Sequence, residues 1–246
     1  MKLAGIFASL PTPFDYRGDL YMAKVRHNVE KWNRTQLAGY VVAGRAGEGA
    51  LLSVEEKTRL WGAVREAAGP PLAKVLIAGL SFGSVREMVL LANLAADLGY
   101  HAALLPAPYC YAGRLLDAAS QTVYLRAVAD QSKIPIVIAH DPQAAGAGLP
   151  VRALADLAAH PNIMAAAEGR GEPEKIKQLV RECPPEFQVL AGAAGALAAS
   201  LAGGAAGAIL DLAAAAPYAC ISIYEAVRTR EHEAAQDLQR RLAPAA

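Results

Sequence analysis

The sequence predicts an α/β chain folded as one closed (β/α)8 barrel, and three observations carry that prediction. Eight short apolar runs recur along the 246 residues, each followed by a longer stretch with helical spacing. The runs are continuously apolar and do not alternate, as expected of strands buried on both faces of a parallel sheet. No glycine-rich G-x-G-x-x-G follows the first run, which removes the usual support for an open dinucleotide-binding sheet. A repeat of about 30 residues over about 250 suits eight βα units in a single domain.

The first run is AGIFASL, residues 4–10. The opening MKLAGIFASLP carries one charge and some apolar residues, but Gly5 and Pro11 cut it short of a secretory leader, so a first buried strand is expected. GYVVA (39–43) is the second strand. Ser53 with Glu56 then gives an S-x-x-E capping box at the head of the next helix, which Gly69, Pro70 and Pro71 end. KVLIAG (74–79) is the third strand. Ser84 with Glu87 repeats the S-x-x-E pattern. Val85, Met88, Val89, Ala92 and Ala96 make one apolar helix face, and Gly99 closes that helix. AALLP (102–106), IPIVIA (134–139), NIMAAA (162–167), FQVLA (187–191) and AAGAIL (205–210) complete the eight strands. The polar stretch 228–246 reads as the last barrel helix running into a further short helix, so 1–228 is expected to form the barrel and 229–246 a helical extension of the same domain.

Apolar residues are 54% of the chain and charged residues 19%, enough to bury a large core and too apolar for a disordered chain. Net charge is +1 with no block of like charge, so neither nucleic acid nor an anionic membrane is an expected partner. No charge-free apolar stretch reaches the ~18–20 residues of a membrane helix. The Ala-rich tract 191–217 is broken by Gly203, Gly204, Gly207 and Asp211. The three cysteines, Cys110, Cys183 and Cys220, lie far apart without CxxC spacing, which suggests reduced thiols in a cytoplasmic protein.

In a barrel of this kind chemistry sits in the loops at the C-terminal ends of the strands. Those loops hold few polar groups: Arg45, Glu48, Tyr109, Cys110, Tyr111, His140, Asp141, Glu168, Arg170 and Asp211. The loops after the seventh and eighth runs are almost entirely alanine and glycine, so a small-walled, mainly apolar pocket is expected.

Several loop patterns together resemble the dihydrodipicolinate synthase and N-acetylneuraminate lyase family. Gly5, Thr12-Pro13-Phe14 and Gly18 are similar to its opening G…TPF…G. Gly44, Gly47 and Glu48 with Leu52-Ser53 and Glu55-Glu56 are similar to G-x-x-G-E…LS-x-E-E. Pro108-Tyr109 stands at its P-Y-Y, Pro142 and Gly146 fit its Y-N-x-P-x-R-x-G, and Gly204, Gly207, Ile209 and Pro217 fit its eighth-strand pattern. The resemblance implies a TIM barrel, a lyase acting on pyruvate or a related small 2-keto acid through a lysine Schiff base, no cofactor, and a homo-oligomer, dimer or tetramer.

The functional positions of that pattern are filled differently here. Aligning on Glu168 puts the Schiff-base lysine at Ala167, and the proton-relay tyrosine falls at Ala139. The two hydroxyl residues of the second loop fall at Arg45 and Ala46, the entrance arginine at Ala144, and the second tyrosine of P-Y-Y at Cys110, next to Tyr111. Imine chemistry needs an amine that can lose its proton and attack a carbonyl. Lys2, Lys24, Lys31, Lys57, Lys74, Lys133, Lys175 and Lys177 all fall at the N-terminus, on helices or before strands. A strand of about five residues spans ~17 Å, beyond a lysine's reach.

Two readings stay open. In one, the barrel is catalytically silent or repurposed and binds a small keto or carboxylic acid through Arg45 and the loop of Gly44, Ala46 and Gly47. In the other, a lysine-independent lyase or hydratase uses Glu48, Tyr109, His140, Asp141 or Glu168 as acid and base, with a metal as one variant. No spacing forces a metal site, and none is expected. The Glu48 carboxylate is expected to bond the amides of its own tight turn.

Overall fold

The computed structural model of the chain describes residues 1–69, 74–81, 83–107, 117–141 and 148–246. Eight parallel strands close a barrel in sequence order: β1 (Gly5–Ser9), β2 (Gly39–Val42), β3 (Val75–Gly79), β4 (Ala102–Pro106), β5 (Ile136–His140), β6 (Ile163–Glu168), β7 (Gln188–Ala191) and β8 (Gly207–Leu210). Each expected strand is present, with ends moved by at most two residues and the fourth strand unchanged. The helices described are α1 (Met22–Asn33), α2 (Val54–Ala68), α3 (Val85–Asp97), α4 (Ala118–Ala129), α5 (Val151–Ala158), α6 (Pro173–Glu182), α7 (Leu197–Ala202), α8 (Pro217–Arg228) and α9 (His232–Leu242). The barrel is a (β/α)8 fold with a C-terminal helical region.

Side chains alternate along each strand and divide the core in two. Phe7, Val41, Ile77, Val137, Ala165 and Leu190 fill the inside of the barrel. Their neighbours in sequence, among them Ala8, Tyr40, Leu76, Ile138 and Ala166, pack outward against the helices.

Helix starts follow the sequence signals in part. Ser53 and Glu56 form a complete capping box on α2. At α3 only half of it forms: Ser84 Oγ accepts from the Glu87 amide, without the return bond. Gly69 ends α2 at φ +73°. The buried face of α3 is centred on Met88, Leu91, Ala92 and Ala95, with Val85, Val89 and Ala96 at its half-buried margin. The expected stripe was thus rotated toward one side.

One close approach positions the loop that leads into α2. A Cβ on Gly79, at the end of β3, would lie 2.5 Å from the Ala43 carbonyl oxygen and within the backbone of Gly44. Only a hydrogen at Gly79 lets β3 pass beneath that turn. Gly79→Ala is therefore expected to destabilise the fold by about 1–3 kcal/mol, as overpacking does, read as a lower urea midpoint at unchanged slope.

Candidate functional site

A cavity of about 320 Å³ opens at the C-terminal mouth of the barrel. Its wall is apolar: Leu80, Leu104, Pro106, Ala139, Ala167 and Ile209. Its rim carries Arg45, Glu48, Asp141 and Asp211. Ser9 lines it from β1.

Ala139 and Ala167 are paired across β5 and β6 and both face this cavity. No lysine is among the described residues that line it. By the same alternation, the side chains of His140 and Glu168 turn the other way, into the layer between the barrel and α6, though His140 is also one of the residues that line the cavity. His140 is 5% exposed and Glu168 is fully buried. The Leu149 amide donates to His140 Nε2 (2.9 Å), so the proton of the neutral ring sits on Nδ1. That Nδ1 faces Glu168 Oε1 at 3.8 Å, too far for a hydrogen bond, and has no other partner among the described residues. Lys175 reaches the same place from α6, with Nζ 3.4 Å from His140 Nε2 and donating to the Leu149 carbonyl (3.1 Å). Burial pushes the Lys175 pKa down, against the pull of Glu168 and Glu172.

Glu168 has a role in this layer. Its carboxylate accepts the amides of Arg170 (3.1 Å), Gly171 (3.0 Å) and Glu172 (3.2 Å), the turn that starts α6. Glu172, the N-cap residue, makes no side-chain cap. The strand thus supplies the acceptor for the turn that leads into the helix, up to the amide of its N-cap residue. Burial pushes the Glu168 pKa up, but the facing imidazole and the donated amides outweigh it and hold the group below the usual carboxylate range.

The loop from Gly44 to Leu51 is held mainly by backbone. Gly49 N donates to Gly44 O, Glu48 N to Arg45 O and Leu51 N to Glu48 O. Thr12 and Ser81 hydroxyls donate to the Gly47 and Gly49 carbonyls at 2.6 and 2.7 Å. Ala43 (φ 59°) and Glu48 (φ 53°) take left-handed conformations that side chains rarely adopt. The expectation that the Glu48 carboxylate closes this turn is corrected: it makes no hydrogen bond or ion pair with the described residues and lines the cavity. Ala46 and Gly47 lie in the same turn outside the cavity lining.

Arg45 spans the mouth. Its guanidinium meets Asp141 Oδ2 at 2.6 Å and Asp211 Oδ2 at 3.8 Å, tying the loop after β2 to the ends of β5 and β8. Arg170 instead pairs with Glu172 at 3.0 Å, away from the lining. Tyr109, Cys110, Tyr111, Pro142, Ala144 and Gly146 lie outside the described residues. Among the described residues no group of three His, Cys, Asp or Glu side chains could hold a metal ion, and no helix is long and apolar enough to cross a membrane.

Residues 2–246 match the dihydrodipicolinate synthetase family. The chain belongs to that family. It is 33% identical over 244 residues to a 4-hydroxy-tetrahydrodipicolinate synthase of Xanthomonas campestris, covering 98% of this chain and 78% of that protein. It is 32% identical over 238 residues to a probable mitochondrial 4-hydroxy-2-oxoglutarate aldolase of Emericella nidulans, covering 96% and 77%. The dihydrodipicolinate synthase of Acinetobacter baumannii, solved with pyruvate, superposes with a TM-score of 0.92 at 25% identity, covering 100% of this chain and 82% of that one.

Sequence reasoning did not pick out Ser9. The available signal was its offset: two residues beyond inward-facing Phe7 on the same strand.

Because the folded Glu168 pKa lies below its unfolded value of about 4.3, its stabilising contribution is complete above that value and is lost as the pH falls through the folded pKa. Glu168→Gln is expected to cost about 1–3 kcal/mol at neutral pH by weakening the acceptor for buried amides. It should also shrink the loss of stability between neutral and acidic pH, measured by urea unfolding at both.

Proposed function

We propose that this family member has given up imine chemistry and keeps the mouth of its barrel as a binding pocket for a small organic molecule. The observation that carries this reading is the pair Ala139 and Ala167, side by side in the cavity wall at the positions where the family resemblance puts the proton-relay tyrosine and the Schiff-base lysine. A methyl group neither attacks a carbonyl nor relays a proton. Lys175, the amine beside β5, is held behind the wall by His140 and Leu149.

A second reading gives the pocket a small 2-keto acid, with its carboxylate on Arg45. It is supported by the pyruvate complex of the Acinetobacter relative and by the planar fork that an arginine offers a carboxylate. It requires Arg45 to exchange Asp141 and Asp211 for the ligand. A lysine-independent lyase would draw its proton-transfer group from Glu48, whose carboxylate lines the cavity without a partner among the described residues.

Intact-mass analysis after treatment with pyruvate and borohydride decides the central point. The expected mass is that of the untreated protein, and a reduced adduct on any lysine overturns the reading. In the double variant Ala139→Tyr with Ala167→Lys the same treatment is expected to give an adduct. A folded double variant without one means that the cavity has changed beyond these two side chains.

A further inference from the structure

Resting on the pocket reading above, we infer that the barrel mouth takes a small organic cation, a protonated amine on an apolar body, in preference to an acid. Three observations carry this. The first is charge. The described lining holds three carboxylates, Glu48, Asp141 and Asp211, and a single cationic side chain, Arg45. Arg45 is already engaged by Asp141 and Asp211. Glu48 has no partner among the described residues, so the described part of the rim carries more carboxylates than cations.

The second is a deeper polar group. Ser9 is 4% exposed, lines the cavity, and makes no hydrogen bond with any described residue. It follows the β1–β8 pair Ala8 and Leu210, as Asp211 does on the neighbouring strand, which sets the hydroxyl and that carboxylate on adjoining strand ends. Ser9 Oγ is not one of the enclosed atoms left without a partner; it opens on the cavity, where a ligand that enters can bond it. An ammonium has three donors and no acceptor, and Ser9 Oγ with the rim carboxylates offers acceptors alone or in combination.

The third is the wall. Leu104, Pro106, Ala139, Ala167 and Ile209 present hydrocarbon to whatever enters. A charged head held at the rim and an alkyl body against this wall match the division of the cavity. A carboxylate head would meet Glu48 and Asp211 at the same place, and like charges there repel.

Isothermal titration of the full chain with pentylamine, pentanoate and pentan-1-ol separates the possibilities, because the three share one body and differ in the head. Pentylamine is expected to bind about tenfold or more tighter than pentanoate, and to weaken as salt is raised through the range that shortens the screening length. Glu48→Gln and Ser9→Ala are each expected to weaken the amine severalfold, while Arg45→Gln tightens it. Circular dichroism checks that each variant is folded, and the three-ligand comparison on the unmodified chain needs no variant. Pentanoate binding as tightly as the amine, or tighter, overturns the cation assignment and leaves the binding pocket standing. Failure of all three ligands to bind overturns both.

Discussion

The arrangement of the site depends on the two-residue alternation of side chains along barrel strands. Inside and outside are assigned strand by strand, and once one residue near a strand end is inside, its neighbour is outside. With Ala139 and Ala167 in the cavity wall, the buried side chains of His140 and Glu168 turn toward the layer under α6, although His140 still contributes to the cavity lining. The same rule brings Asp141 and Asp211, one step past β5 and β8, to the rim. A group of residues that looks contiguous in sequence is thereby split into two separate environments, a solvent-facing mouth and a dry polar layer behind it.

This explains what could and could not be read beforehand. The eight strands were legible because each is a continuous apolar run with a helix-length segment behind it, and the α2 capping box was legible because its two residues act on each other locally. The face of each strand was harder. Glu48, His140, Asp141 and Glu168 stand together as candidates because all lie at strand ends; as neighbours, His140 and Asp141 are expected to point apart, and alternation turns the His140 and Glu168 side chains to one side and Asp141 to the other. Treating Ala139 and Ala167 as cavity residues already implied that outcome. Glu48 was misjudged for a different reason. The sequence shows a glycine-flanked glutamate in a turn, but not that hydroxyls from Thr12 and Ser81 hold the turn from neighbouring strands and release the carboxylate. Contacts of that range have no local signature.

The rim and the polar layer also differ in how their charges are held. Arg45 is 75% exposed along its side chain, and its pairs with Asp141 and Asp211 are open to water and salt. Such pairs contribute little to stability and exchange partners readily. Glu168 and His140 are enclosed, and their partners are backbone amides of the adjoining loops together with the Lys175 amine. The first arrangement can respond to a ligand. The second holds two strand ends and a helix start in register, whatever occupies the mouth.

Glu168 carries a last implication. It is the residue on which the sixth-strand pattern aligns, and its carboxylate gathers the amides of the turn that leads into a helix. Its neighbour Ala167, one position away, faces the cavity instead, so adjacent letters of one strand serve different surroundings. A sequence match rewards such an architectural letter as much as any reactive one, so likeness along a whole chain speaks first for the frame and only then for the chemistry done within it.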